Sequence, residues 1–124
     1  MKNGLLTVLL MFFTSHAFAH AHLQKSEPLK DAQVSKLPDK VVLTFSEDVE
    51  LAMSKIEVRR QSDHTTLSTG PITHSNEQKN TMEVRITPDA NGGSAKYEVQ
   101  WKAVGTDSHP MKGSYIFTVV TEKK

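Results

Sequence analysis

The chain has 124 residues, with 15 basic and 14 acidic side chains, 37% apolar residues and no cysteine. That length suits one domain with an ordinary apolar core. Its near-neutral balance offers no basic excess to nucleic acid or an anionic membrane, and the lack of cysteine excludes a disulfide framework and any thiolate metal site.

Residues 1–19 read as a secretory signal peptide. Lys2 supplies a positive start, Gly4 to Phe13 is almost wholly apolar, and Ala17-Phe18-Ala19 fits the small-x-small cleavage rule. A membrane anchor is the rival reading, but the apolar run is only about half of the roughly 20 residues a spanning helix needs. No later segment is apolar enough to span, so stable membrane insertion is not expected. Cleavage after Ala19 leaves 105 of the 124 residues and removes Lys2, so 14 basic side chains face 14 acidic ones. Cleavage after Ala21 also satisfies the rule, and either cut leaves a histidine first, His20 or His22.

The remainder, residues 20–124, reads as a single all-β domain. Ser26-Glu27-Pro28 marks the bend leaving a first strand, and Val41 to Phe45 is a β-branched and aromatic run. Ile56 and Val58 point inward. Thr81 to Thr87 alternates, with Met82, Val84 and Ile86 on one face and Glu83 and Arg85 on the other. The same period places Tyr97, Val99, Trp101 and Ala103 inward, and then Tyr115, Phe117 and Val119. Turns are expected at Leu37-Pro38-Asp39, Thr69-Gly70-Pro71, Pro88 to Gly93 and Lys112-Gly113. Together these signals predict a two-sheet sandwich of immunoglobulin or cupredoxin kind. The polar stretch from Gln61 to Asn80 shows no element, and its His64 and His74, ten residues apart with no fixed geometry, are left out of any site. Trp101, Tyr97, Phe45 and Phe117 read as core, not as a sugar-binding platform.

The chemistry gathers at two places. A terminal histidine offers an α-amine, with a pKa of about 8, and an imidazole Nδ1 to one ion, closing a six-membered ring. Such nitrogen-rich tetragonal sites suit Cu(II). Far along the chain, Asp107-x-His109 supplies a carboxylate and an imidazole that lie on the same side if the segment is extended, as Pro110 encourages. Asp-x-His alone is a common pattern; the terminal histidine gives it meaning, and the resulting ligand types also admit zinc. The start His20-Ala21-His22 allows a competing chelate in which the amine, two ionised peptide nitrogens and the His22 ring surround the ion. The folded site is favoured because its donors need less ordering. Glu47, Asp48 and Glu50 form either an acidic rim for metal capture or an ordinary solvated cluster. No Ser-His-Asp order, phosphate loop or carboxylate pair argues for hydrolysis.

Several segments together resemble the CopC family of periplasmic copper-resistance proteins. They are His20 to Leu23, Ser26 to Pro28, Leu43 to Glu50, Tyr97 to Val104, Asp107 to Pro110 and Gly113 to Phe117. The likeness spans nearly the whole of residues 20–124 and is strongest to short exported members of the YobA type. It implies a Greek-key β-sandwich that binds one Cu(II) through His20, Asp107 and His109, with Glu47 matching an acidic residue near the copper; in that arrangement His22 is either a supporting group near the ion or a surface residue. It also implies an inner-membrane CopD-type partner. The methionine-rich segment of the best-known members is missing here. Met53, Met82 and Met111 stand singly and read as packing residues, so a dedicated Cu(I) site is not expected.

The expectation is a monomeric periplasmic protein that captures one Cu(II) and buffers or delivers it for copper homeostasis and resistance, without turnover. The alternative of another class is a histidine-brace copper redox enzyme of monooxygenase type. An equatorial Asp107 would leave it no easy position for oxygen. A sandwich module whose histidines are incidental is the third reading.

Overall fold

The structure is a computed structural model that describes residues 22–122. The expected signal peptide and His20 lie outside the described residues. Eight strands follow in order: β1 (Leu23–Glu27), β2 (Gln33–Val34), β3 (Lys40–Phe45), β4 (Lys55–Arg60), β5 (Ser68–Thr73), β6 (Thr81–Ile86), β7 (Ala95–Val104) and β8 (Pro110–Val119). One sheet runs β1-β3-β6-β5 and the other β2-β8-β7-β4. Neighbouring strands are antiparallel except β2 and β8, which pair in parallel through Gln33 with Thr118 and Val34 with Val119. This is the expected all-β sandwich. No helix among the described residues is long and apolar enough to cross a membrane.

The alternation read from the sequence is the core. Val41, Leu43 and Phe45 of β3 are wholly buried, as are Met82 of β6 and Val99 and Phe117 of the opposite sheet. Each such side chain contributes about 1.5–3 kcal/mol by leaving water. Phe45 meets Trp101 edge to face with ring centroids 5.2 Å apart, and Tyr97 stacks on Phe117 at 5.4 Å. All four rings are inside, as predicted, so none forms a flat external platform. Met82 is core and Met111 packs partly against it, whereas Met53 is 57% exposed, contrary to the packing role expected of it. Met53 ends a single 3-10 turn, Leu51–Met53, that buries none of its residues.

Two expected turns are strand interior. Thr69-Gly70-Pro71 lies within β5, where the register with β6 shifts between Thr69 and Thr73 and Gly70 takes a φ of 75°. Glycine and proline mark a bulge in an edge strand here, where a missing N–H costs the sheet nothing. Strand β5 thus occupies part of the polar stretch that showed no element. Lys112-Gly113 lies within β8, and Gly113 stands opposite Trp101. A Cβ there would sit 2.6 Å from Trp101 Cε2, so the glycine makes room for the indole.

At one end of the sandwich a network closes the loops. Arg60, only 8% exposed, is doubly hydrogen-bonded to Asp89, and Tyr97 donates its hydroxyl to the same carboxylate at 2.8 Å. Arg60 holds the Asp89 carboxyl down to about 2, with Tyr97 adding to the effect, and burial beside Asp89 pushes Tyr97 up to about 12. The opposite end, where β1 begins, β3 and β7 end and β8 begins, carries the candidate site.

Candidate metal centre

The hairpin joining β7 to β8 brings Asp107 and His109 together, by a different route from the one expected. The segment is not extended. Thr106 and Asp107 form a turn, and Ser108 adopts a left-handed φ of 65°. Asp107 shapes the turn itself, since its Oδ1 accepts the His109 backbone N–H at 3.1 Å while Oδ2 lies 3.1 Å from His109 Nδ1. Aspartate favours such a conformation because its carboxylate bonds the backbone two residues on. The His109 amide and then its ring hold the Asp107 carboxyl below the usual aspartate range. Both side chains face solvent, 61% exposed for His109 and 41% for Asp107, so an ion can reach them.

Metal bonds of about 2.0–2.2 Å to imidazole nitrogen and carboxylate oxygen put adjacent donors of a square site about 2.8–3.1 Å apart. The oxygen-to-nitrogen separation in this hairpin is therefore already close to what one ion would impose. An ion taking both atoms replaces the Nδ1 proton. Among the described residues no group of three or more His, Asp or Glu side chains forms a metal cluster. The described residues thus supply two donors here, Asp107 and His109, and at its N-terminal side the described chain begins with His22.

The backbone carries that terminus to the same end. His22 donates its N–H to Ser46 Oγ at 2.8 Å, and the Ser46 N–H donates to the His22 carbonyl at 2.9 Å. Three residues beyond Ser46, Val49 bridges to Gly105, and Glu50 N–H bonds the Val104 carbonyl at 2.8 Å. Ser54 Oγ accepts the Val104 N–H at 3.0 Å and donates to the Glu50 carbonyl at 2.7 Å. The Ser46–Ser54 segment is thus tied to the entering chain on one side and to the base of the Asp107 hairpin on the other. Glu47, half-buried, lies in this connecting loop, with exposed Asp48 and Glu50 beside it.

The two histidines left out of the site are separated by the topology. His64 follows β4, at the Arg60 end of the sandwich, far from Asp107 along the strands. His74 sits between β5 and β6 at the candidate-site end, a placement that the featureless polar stretch did not reveal. Its Nδ1 donates to the Thr81 carbonyl at 2.9 Å and helps fold the 75–80 loop, whose Lys79 carbonyl accepts the Val49 N–H at 2.9 Å.

Residues 23–120 match the family model of the CopC domain. The chain belongs to the CopC family. Protein YobA of Escherichia coli strain K12 is 31% identical over 106 residues, covering 86% of this chain and 83% of that protein. Copper resistance protein C of Escherichia coli is 30% identical over 116 residues, 90% of each chain. The crystal structure of CopC from Methylosinus trichosporium OB3b superposes with a TM-score of 0.72 at 25% identity, covering 85% of this chain and 98% of that one. The CopC sandwich is therefore the fold of this chain, and some of its relatives, such as copper resistance protein C, are named for copper resistance.

Proposed function

We propose that this chain is a periplasmic copper-binding protein that captures one Cu(II) through the α-amine and ring of His20 together with Asp107 and His109. It then buffers the ion or passes it to an inner-membrane CopD-type protein. The observation that carries the reading is the 3.1 Å approach of Asp107 Oδ2 to His109 Nδ1, on an exposed hairpin at the end of the sandwich where the chain enters β1. Three nitrogens and one carboxylate suit Cu(II), and the carboxylate lowers the charge of the bound ion to +1. The family's copper-resistance names support a carrier over a redox enzyme.

One contact also favours this folded site over the terminal chelate. That chelate needs the His22 peptide nitrogen deprotonated and bound to the ion, yet the structure commits this N–H to Ser46 Oγ. Forming the chelate would break this hydrogen bond at the entry to β1.

Substituting either member of the hairpin pair tests the proposal. His109→Ala and Asp107→Ala should each weaken Cu(II), measured by competition against a chelator, by more than the roughly 10–100-fold typical of losing a supporting group. His74→Ala should bind as the parent does. Unchanged affinity in His109→Ala, with the fold intact by circular dichroism, would refute the site.

A further inference from the structure

The outer face of the β2-β8-β7-β4 sheet carries three lysines in one row. Lys102 of β7 pairs directly with Lys55 of β4 on one side and with Lys112 of β8 on the other. All three are exposed. Like charges placed directly opposite one another on a sheet are destabilising, so the free protein holds a repulsion here. Of the three, Lys55 alone has an ion-pair partner among the described residues, Glu57 at 3.8 Å. Glu57 also lies 2.9 Å from Arg59, and Glu98 accepts a hydrogen bond from Gln100. The row borders an open groove of about 470 Å³ lined also by Glu57, Gln100 and Ser114.

We propose that this row is a docking ledge for an acidic polypeptide segment of a partner protein. An anionic partner is the chemistry that turns the stored repulsion into attraction, and charge complementarity of this kind chiefly sets specificity and association rate. Three adjacent strands place the lysines across about 10 Å. An extended segment carries alternate side chains about 7 Å apart, so two or three carboxylates at alternate positions reach all three ammonium groups. The ledge lies beside the Asp107 hairpin, because Lys102 is two residues before the end of β7 and Lys112 is two residues after the start of β8. A segment docked there would stand next to His109. The ledge itself does not depend on metal, so its test is made without copper.

The test titrates metal-free, 15N-labelled protein starting at His20 with an extended peptide bearing Asp or Glu at alternate positions, followed by amide chemical shifts. The same peptide with Asn and Gln serves as control. The expected result is a set of shifts centred on Lys55, Lys102, Lys112 and Ser114 that fades as salt is raised. Lys102→Glu with Lys112→Glu should weaken binding about tenfold or more, the factor corresponding to about 1.4 kcal/mol. Lys102→Gln with Lys112→Gln should also weaken it while leaving the metal-free fold at least as stable, which separates lost docking from misfolding. Lys30→Glu with Lys36→Glu should bind as the parent does. No binding, shifts centred on other lysines, or equal binding by the Lys102/Lys112 variants would overturn the ledge. Binding to phosphatidylglycerol vesicles without binding to the peptide would overturn it too, assigning the row to a lipid surface.

Discussion

Asp107 and Asp89 show how one residue type does two jobs in this molecule. Asp107 is exposed and accepts both the backbone and ring donors of His109, a short local loop that leaves its carboxylate open to an ion. The Asp89 side chain is only 6% exposed and takes donors from Arg60 and Tyr97, so its carboxylate is committed to holding the loops together. Its depressed pKa has a defined sign. The stability it contributes is complete above the ordinary aspartate value of about 4 and is lost as pH falls toward its folded value of about 2. Tyr97 acts in the opposite sense, since its folded value is raised to about 12 and its contribution is lost as pH rises from about 10 toward that value. Tyr97→Phe removes one donor from Asp89. It should lower stability by about 1 kcal/mol at neutral pH, or about 4–8 °C in Tm, and move the acid loss of stability to higher pH. Thermal melts between pH 2 and 7 check this, and an unmoved acid limb would show that Arg60 alone sets the Asp89 carboxyl. The candidate ligands were legible as residue types. The φ of 65° at Ser108, which brings the pair together through a turn, had no signal strong enough to displace the extended reading that Pro110 suggested.

At the scale of elements, the period-two runs were the readable part. Strands β3, β4, β6, β7 and β8 each bury one face, so alternation exposed them directly. Strand β5 was hidden because it lies at a sheet edge, with only Ile72 of its residues packed partly against the core, and because Gly70 and Pro71 read as a turn. The two-residue β2 is too short to show a period. Gly113 misled for a related reason, since glycine signals a turn only when backbone freedom is what the position needs. Here the need is space. Gly113→Val should force the Trp101 indole out of place and cost about 1–3 kcal/mol, the usual range for overpacking. Urea midpoints and tryptophan fluorescence read the effect. A variant as stable as the parent, with unshifted emission, would mean that the strand moves away at little cost and that the close approach is not what selects glycine.

Across the whole molecule, the sandwich separates structural and chemical duties by its ends. The Arg60 end is closed by a buried ionic network, while the other end gathers the entering chain, the acidic Glu47 to Glu50 loop and the Asp107 hairpin. His22 and Ser46 bring residues 24 apart in sequence into direct hydrogen bonding, and the Val49 to Gly105 bridge links that corner to the hairpin. No local pattern could show this convergence; the family resemblance implied it, and the strand topology supplies its physical basis. In the proposed copper site the terminal amine at His20 completes the ligand set. The direct test is a competitive Cu(II) titration of protein beginning at His20 against protein carrying one extra residue before it, each verified by intact mass. Tight one-to-one binding that collapses in the extended form is the predicted result. Equal binding by both forms would contradict it, because the amine would then be dispensable and the CopC fold would be present without the proposed copper site.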